Sequence, residues 1–384
     1  MRKLTKKGRI LTFGLIAAIL WALTGCRTGF FYRQAIRGQL QIISLQRPIE
    51  NVLNDSDTSP TLRSQLELVL ELRDFAENEL FLPANSNYLN YADLQRPYVV
   101  WNVYAAPSYS LVDKTWWYPF VGSLSYRGYF SEKSADEYAG YLEKKGFDVY
   151  TSGVEAYSTL GWFKDPVLNT FIDQDEAYIA ETLFHELAHR KLFVDGDTEF
   201  NEAFATAVER EGVRRWLTGR GNKPAYQQYQ VHLDREREFT KMVLAARSKL
   251  EEVYDPFDGE RPNPSASQWQ LQKQAVIAQL RSEYGEFKSR WDGYEGYDAW
   301  IARDLNNAQL NTISTYYRLV PAFQQLLAEQ KGDMEQFYRS VKELSRQPEE
   351  SRKRDLQELK SRVLDFPSST NQPRAAVMSV EKSR

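Results

Sequence analysis

Two histidines separated by three residues lie near the middle of the chain, in the stretch His185-Glu186-Leu187-Ala188-His189. Apolar residues recur at helical spacing around this stretch and predict an amphipathic helix over residues 173–192. Side chains four positions apart lie on one face of a helix, one turn from each other. Both imidazoles can therefore reach a single metal ion, with Glu186 beside them.

The residue types in this pattern are those of a hydrolytic zinc site. Neutral imidazole binds zinc at about 2.0–2.1 Å, and a catalytic zinc has three protein ligands and one position left for water. The metal acidifies that water and polarises a scissile carbonyl, while a carboxylate moves the proton to the leaving amine. We therefore predict His185 and His189 as ligands of one zinc ion and Glu186 as the catalytic base, although cobalt or manganese would suit the same ligands.

Chance is the alternative explanation for this pattern, since a surface helix can carry two histidines and a glutamate without binding metal. The chain has only three histidines, which makes a chance match to the spacing rare. The pattern therefore favours a zinc peptidase.

A third ligand is expected from the helix that follows. We predict this helix over residues 201–219, after an Asp-Gly-Asp turn, and Glu202 in its first turn is the best candidate. Glu199 and Glu209 are alternatives, and the carboxylate of Glu202 could instead interact with the positive end of the helix. Asp197 or Glu209 could orient a ligand histidine through its second ring nitrogen.

Strand-forming residues precede the metal helix. The stretch at residues 98–104 is rich in β-branched and aromatic residues, and further strands are expected around residues 118–130 and 147–150. Between them, Ser134 with Glu137 three residues later has the pattern of a helix start, and Gly146 supplies a stop. This part of the chain is expected to form a small sheet with one helix.

The remaining segments are predicted to be helical. Helical spacing indicates two helices over residues 31–82 and nearly continuous helix over residues 224–344, interrupted around residues 254–265. We predict an α+β fold that is predominantly helical, with a zincin-like core in which the small sheet lies beside the metal helix.

The predicted organisation has five regions. In order, they are a lipoprotein signal peptide at residues 1–25, an N-terminal helical region at 26–95, a metal-site region at 96–220, a C-terminal helical region at 221–346 and a charged, mobile tail at 347–384.

The first residues have the composition of a targeting segment. Five basic side chains between residues 2 and 9 precede an apolar run at residues 10–23. A membrane-spanning helix needs about 20 apolar residues, whereas the core of a signal peptide needs about 7–15. We therefore expect this segment to be removed from the mature protein.

The segment ends in Leu23-Thr24-Gly25-Cys26, which resembles the lipobox of bacterial lipoproteins and contains the only cysteine of the chain. The resemblance implies that Cys26 is lipidated and becomes the first residue of a protein anchored to the membrane and facing the periplasm. Residue 27 is Arg rather than Asp, which by the same resemblance implies the outer membrane. An ordinary signal peptide or a retained anchor is the alternative.

The overall composition excludes several classes of function. The chain carries 49 basic and 52 acidic residues, for a net charge of −3, and their mixing along the sequence predicts no nucleic-acid partner. A single cysteine allows neither an intramolecular disulfide nor a thiolate zinc site. With 42% hydrophobic residues, the chain can bury a substantial core.

Several stretches together resemble the bacterial predicted aminopeptidase family of zinc metallopeptidase lipoproteins, a gluzincin-like HExxH group. They are the lipobox, residues 184–189, residues 197–205, Leu305-Asn306-Asn307-Ala308, Tyr316 and Val320-Pro321-Ala322-Phe323. The resemblance implies a zinc aminopeptidase that releases N-terminal residues from short peptides.

The sequence resembles better-known zinc peptidases in one feature and differs from them in two others. Asn201-Glu202 resembles the pair that completes the His, His, Glu set of thermolysin-like enzymes, although Glu202 follows His189 by only 13 positions, a tighter connection than that class uses. No G-x-M-E-N segment of the kind that holds the free amine in large zinc aminopeptidases occurs here.

A tyrosine donates a hydrogen bond to the oxyanion in many related zinc peptidases. By that resemblance Tyr316 is the candidate catalytic tyrosine, with Tyr317 as its neighbour. The chain has 23 tyrosines, so a packing role is the alternative.

Two other functions remain open at this point. The first is an envelope endopeptidase, which an open cleft without an acidic pocket would favour. The second is a scaffold lipoprotein that binds zinc without turnover, although a structural site has no need of Glu186.

Overall fold

The computed structural model describes residues 27–118, 122–156, 159, 163–255 and 265–365. The predicted signal peptide and Cys26 lie outside these residues. Contacts divide the chain into two compact units, Met1–Val320 and Pro321–Arg384. The five regions predicted from the sequence divide the chain differently and stay predictions. Within the described ranges, no helix has the length and apolar content needed to cross a membrane.

Helices dominate the first unit. They are α1 (Arg27–Leu45), α2 (Ile49–Leu53), α3 (Pro60–Asn78), α4 (Glu132–Glu143), α5 (Asn169–Ile172), α6 (Glu176–Lys191), α7 (Thr198–Gly219), α8 (Lys223–Tyr254), α9 (Ala266–Arg290), α10 (Asp298–Ala302) and α11 (Asn307–Tyr317). The strands are β1 (Arg47–Pro48), β2 (Asn90–Ala92), β3 (Val100–Pro107), β4 (Trp116–Tyr118), β5 (Gly122–Leu124), β6 (Arg127–Tyr129), β7 (Phe147–Val154) and β8 (Val167–Leu168). The predicted α+β class with mainly helical content is confirmed.

The main sheet is antiparallel, with strand order β6-β3-β7. One face of β3 presents Trp101, Val103 and Ala105 to a cluster that includes α4. The alternate residues, among them Asn102 and Tyr104, point to the opposite face because side chains alternate along a strand. That second face lies towards the two histidines of α6. The other sheets are small, with strand orders β1-β2-β8 and β4-β5.

Helix starts differ from the sequence prediction because nearby side chains cap the helices earlier or later. Helix α4 is capped by Ser131, which accepts a hydrogen bond from Ser134 N, so Ser134 itself is not the cap. Helix α6 begins after its cap Asp175, and α7 begins after its cap Asp197. Because α7 starts three residues before the predicted position, Glu202 lies in its second turn.

Helices α6 and α7 form an antiparallel pair that packs closely at Gly212 of α7. A Cβ atom at Gly212 would lie 2.5 Å from the ring of Phe184 in α6 and 2.8 Å from Leu80. The ring of Phe75 in α3 in turn contacts Phe184, at 5.9 Å between centroids, and Trp216 of α7 at 5.2 Å. Burial of these rings fixes the helix that carries the HExxH stretch.

Asparagine side chains hold α11 against the sheet. Asn306 caps the helix and donates to Val149 O of β7 at 2.9 Å. The fully buried Asn307 donates to Pro107 O at 3.0 Å and accepts from Tyr254 at 3.1 Å. The Asn-Asn pair noted in the sequence therefore sets the position of α11.

The second unit contains α12 (Val320–Glu329), which begins at the last residue of the first unit, α13 (Met334–Ser345) and α14 (Glu349–Asp365). Residues 349–365, which belong to the region predicted as a charged tail, are helical, and residues 366–384 of that region lie outside the described residues. Leu356 and Leu359 of α14 are buried, and Glu349 and Glu350 lie in its first turn, where carboxylates stabilise a helix.

The packing at Gly212 predicts that Gly212→Ala destabilises the protein. The added methyl group forces the buried Phe184 ring to move, and overpacking of this kind costs about 1–3 kcal/mol. Gly219→Ala is the matched control, because nothing lies within 4 Å of a Cβ atom at that position of the same helix. Thermal unfolding of the two variants should show a lower Tm for Gly212→Ala alone; equal Tm values would contradict the account of this contact.

Candidate functional site

Three side chains of α6 and α7 converge at one point: His185, His189 and Glu202. The Nε2 atoms of the two histidines lie 3.1 Å apart. Oε2 of Glu202 lies 3.2 Å from Nε2 of His185 and 3.5 Å from Nε2 of His189. A tetrahedral zinc ion with bonds of about 2.0–2.2 Å needs ligand atoms about 3.3 Å apart. The triangle of ligand atoms therefore fits one metal ion.

The connection between α6 and α7 is short because Asn201 holds it closed. The side-chain amide of Asn201 accepts a hydrogen bond from Val194 N and donates one to Val194 O, each at 2.8 Å. This clamp folds the chain back directly after α6 and turns the next residue, Glu202, towards the histidines. The tight spacing is thus compatible with a shared ligand site.

Glu209 contacts the ring nitrogen of His185 that does not belong to the ligand triangle. Its Oε2 atom is 2.6 Å from Nδ1 of His185. A carboxylate only accepts hydrogen bonds, so Nδ1 carries the proton of this contact and Nε2 is the ring nitrogen directed at the metal position. Of the two residues predicted to orient a histidine, Glu209 makes this contact, whereas Asp197 accepts from Phe200 N as the cap of α7.

Glu199 was an alternative third ligand, but its carboxylate pairs with Arg318 instead. Its two carboxylate oxygens pair with the guanidinium of Arg318, one of them at 2.6 Å. A bidentate pair of this geometry already uses both oxygens of the carboxylate. Of the three candidate glutamates, Glu202 is the one in the triangle.

Burial and charge give the carboxylates of the site different proton affinities. Burial raises the pKa of Glu202, but the imidazoles of His189 and His185 outweigh this effect and lower its pKa to about 2. Burial raises the pKa of Glu186 to about 7, although the same imidazoles oppose the shift. Glu202 is thus suited to remain an anionic ligand, and Glu186 to exchange a proton near neutral pH.

The orienting carboxylate of Glu209 and the ligand carboxylate of Glu202 both act on His185. Burial lowers the pKa of His185, but the carboxylates of Glu209 and Glu202 outweigh burial and raise this pKa well above its ordinary value. A strong positive charge at the metal position would displace the proton from Nε2 and take its place.

A cavity of about 400 Å³ lies between the triangle and the sheet, and we name it the sheet-side cavity. Polar side chains from the second face of β3 and from nearby segments line it, namely Asn102, Tyr126 and Tyr316. Tyr316 is hydrogen-bonded to Tyr104 of the same strand face. The predicted Tyr316 is therefore beside the metal position, whereas Tyr317 lines a different cavity.

A second cavity, of about 450 Å³, also has His185 and Glu186 in its lining. Four further glutamates line it, so we name it the acidic cavity; they are Glu155, Glu181, Glu209 and Glu236. Val154 and Ala156, at the end of β7, line both cavities. The two cavities thus meet at Glu186 and at the last residues of the edge strand.

Burial and mutual repulsion make two carboxyl groups of the acidic cavity hard to ionise. Burial, the carboxylate of Glu209 and that of Glu236 raise the pKa of Glu181 to about 8. Burial also raises the pKa of Glu236, even though Arg210 forms an ion pair with it. A cation placed among these carboxyl groups would stabilise their ionised forms, so the cavity is suited to bind a cation.

Sequence reasoning missed part of the lining of both cavities. Asn102 and Tyr126 come from the sheet region, where only the two-residue alternation along β3 hinted that Asn102 faces away from Trp101. Glu181 lies one helical turn before His185, so its place on the same face of α6 was readable from the spacing. Glu236 belongs to α8, and only the packing of distant helices brings it to the site.

The ligand triangle predicts that Glu202→Ala weakens binding of a divalent metal strongly, since one of three ligands is lost. Titration of the purified protein with Zn²⁺ against a competing chelator should show an affinity lower by about 100-fold or more. Glu199→Ala is the control, because that carboxylate pairs with Arg318. A larger loss for Glu199→Ala than for Glu202→Ala would show that the ligand is misassigned.

Comparison with known proteins identifies a family for the chain. A family model described as "Putative aminopeptidase" matches residues 30–356. No curated protein and no solved structure matches the chain. The matched span includes the whole of α6, α7 and α11, and with them all three residues of the triangle. The chain therefore belongs to this aminopeptidase family.

Proposed function

We propose that this protein is a zinc-dependent aminopeptidase of the cell envelope. The observation that carries the proposal is the position of the triangle, His185, His189 and Glu202, beside Glu186, where two cavities share His185 and Glu186 in their lining. One cavity is lined by five glutamates, and the other lies between the triangle and the sheet. That arrangement suits a substrate with a positive charge close to the bond that is cut.

The reaction is hydrolysis of a peptide bond. Zinc, when bound by His185, His189 and Glu202, supplies a Lewis acid that polarises the carbonyl and lowers the pKa of water. Glu186 accepts the proton of the attacking water and passes it to the nitrogen of the leaving amine. An intact Glu186 next to the triangle favours this enzyme over a zinc scaffold, because a structural site needs no base.

Two further side chains support the reaction. Glu209 accepts the Nδ1–H of His185 and keeps Nε2 directed at the metal position. Tyr316 donates a hydrogen bond from its hydroxyl group to the substrate carbonyl oxygen, which becomes negative as water attacks the carbonyl carbon. Donation to the substrate would replace the hydrogen bond that it now makes with Tyr104.

The acidic cavity is assigned to the free α-ammonium group of the substrate. Glu181 and Glu236 are buried carboxylates whose ionised forms gain most from an added positive charge, as their raised pKa values indicate. A cation held there would lie in the cavity that shares His185 and Glu186 with the sheet-side cavity. The scissile bond would then be close to the N-terminus, which favours an exopeptidase over an endopeptidase.

Cys26 is assigned as the lipid attachment site, so that the mature protein is anchored in the envelope and faces the periplasm. The outer membrane is the proposed location, from the Arg at position 27. These assignments rest on the sequence around the single cysteine.

The first test is hydrolysis of matched peptides with free and acetylated N-termini by wild-type protein and Glu186→Gln. We expect cleavage of free-amine peptides alone, and a loss on the order of 10³-fold or more in kcat for the variant because the proton acceptor is gone. Glu137→Gln, at an exposed position of α4, is the control and should be fully active.

The other outcomes separate the alternative functions. Equal cleavage of acetylated peptides would identify an endopeptidase. Bound zinc without cleavage of any peptide would identify a scaffold, and activity that survives Glu186→Gln would remove Glu186 as the base.

A second test addresses the acidic cavity through Glu181→Gln. Loss of one carboxylate should raise KM for free-amine peptides about 10-fold or more, since hydrogen bonds to charged groups contribute about 1.5–3 kcal/mol, with little change in kcat. Because burial opposes ionisation of Glu181, the variant should keep or increase its Tm. An unchanged KM, or a lower Tm that accounts for the loss of activity, would contradict the assignment.

A further inference from the structure

Helix α1 has two distinct faces. The inner face carries the buried residues Phe31, Gly38 and Ile42. A Cβ atom at Gly38 would lie 2.1 Å from the ring of Phe130, and Gln34 accepts a hydrogen bond from Phe130 N at 2.8 Å. The inner face is therefore firmly docked on the body of the protein.

The outer face carries large apolar side chains in contact with solvent. Ile36 is 61% exposed, Leu40 59% and Ile43 39%. At about 100° per residue, these three side chains lie within roughly 60° of one another, on the side of the helix opposite the inner face. Apolar side chains that are exposed singly are common on protein surfaces, whereas a continuous apolar stripe of this kind is typical of an interaction surface.

The charges of α1 are all of one sign. Its 19 residues contain Arg27, Arg33 and Arg37 and no acidic residue, in a chain whose net charge is −3. Arg33 and Arg37 are exposed and follow the apolar stripe around the helix. An apolar stripe flanked by arginine is the composition of helices that lie in the interface of an anionic bilayer.

We propose that α1 lies along the membrane surface, with Ile36, Leu40 and Ile43 inserted among the lipids and Arg33 and Arg37 bound to anionic phosphate headgroups. The argument for this occupant rests in part on the proposed lipid anchor. Cys26 directly precedes Arg27, so a lipid on Cys26 would hold the start of α1 within about 4 Å of its attachment point.

This contact fixes how the catalytic body is oriented on the membrane. Lipid chains alone give attachment, whereas a helix embedded along its length also prevents rotation about the attachment point. Phe130, on which α1 packs, lines the sheet-side cavity beside the metal position. The docked helix would therefore hold this cavity at a fixed height above the lipid.

The test uses the full-length lipidated protein in vesicles of phosphatidylethanolamine and phosphatidylglycerol. Leu40→Cys is labelled with an environment-sensitive fluorophore, and lipids that carry a quencher in their acyl chains report insertion. Leu271→Cys is the matched control, since Leu271 is 69% exposed on α9. We expect a blue shift and strong quenching at residue 40, and neither at residue 271.

The charge component is tested by Arg33→Glu with Arg37→Glu, which should reduce the quenching at residue 40 several-fold in these vesicles. A label at residue 40 that is as exposed to water as that at residue 271 would overturn the proposal. A blue shift without lipid quenching would also overturn it, because the stripe would then be covered by protein, such as a second copy of the chain.

Mass measurement of wild-type protein distinguishes failure of this proposal from failure of the lipid anchor. If Cys26 carries no lipid, the anchor is wrong, and the same labels are placed in a Cys26→Ser background. Quenching at residue 40 would then still support the membrane contact of α1, and its absence would overturn it.

Discussion

The site depends on the close packing of α6 against α7. Two of the converging side chains come from α6 and the third from α7, so their atoms meet only if the two helix axes stay at one separation and one register. Gly212 allows the approach by leaving room for the Phe184 ring, and Asn201 closes the connection with two hydrogen bonds to Val194. The metal position is thus a consequence of helix packing.

A second constraint is electrostatic. Burial of five carboxylates in one region is unfavourable unless cations compensate them. These carboxylates belong to Glu181, Glu186, Glu202, Glu209 and Glu236. Three of the carboxylates meet a cationic or hydrogen-bond-donating partner: imidazoles beside Glu202, the Nδ1–H of His185 beside Glu209, and Arg210 beside Glu236. For Glu181 and Glu186 burial is the larger effect, and it raises the pKa of both. Those two are the groups that a bound substrate and a water molecule would use.

The sequence predicted the parts of the site that lie close together along the chain. His185, Glu186 and His189 follow from helical spacing, and Glu202 from the start of the next helix. The α+β class and most helices followed from apolar periodicity, whereas helix starts shifted because Ser131 and Asp197 act as caps. Asn102 and Glu236 were not predicted, since β3 and α8 reach the site only through long-range packing. The choice among Glu199, Glu202 and Glu209 needed the Arg318 and His185 contacts that only the fold provides.

The most direct test of the central claim is to locate the metal in crystals of the wild-type protein grown with Zn²⁺, by anomalous diffraction on both sides of the zinc absorption edge. The account predicts one strong peak within bonding distance of Nε2 of His185, Nε2 of His189 and a carboxylate oxygen of Glu202. The peak should disappear below the edge. A zinc peak at other residues would contradict the assignment of this site. The absence of any peak in crystals grown with saturating Zn²⁺ would contradict it as well.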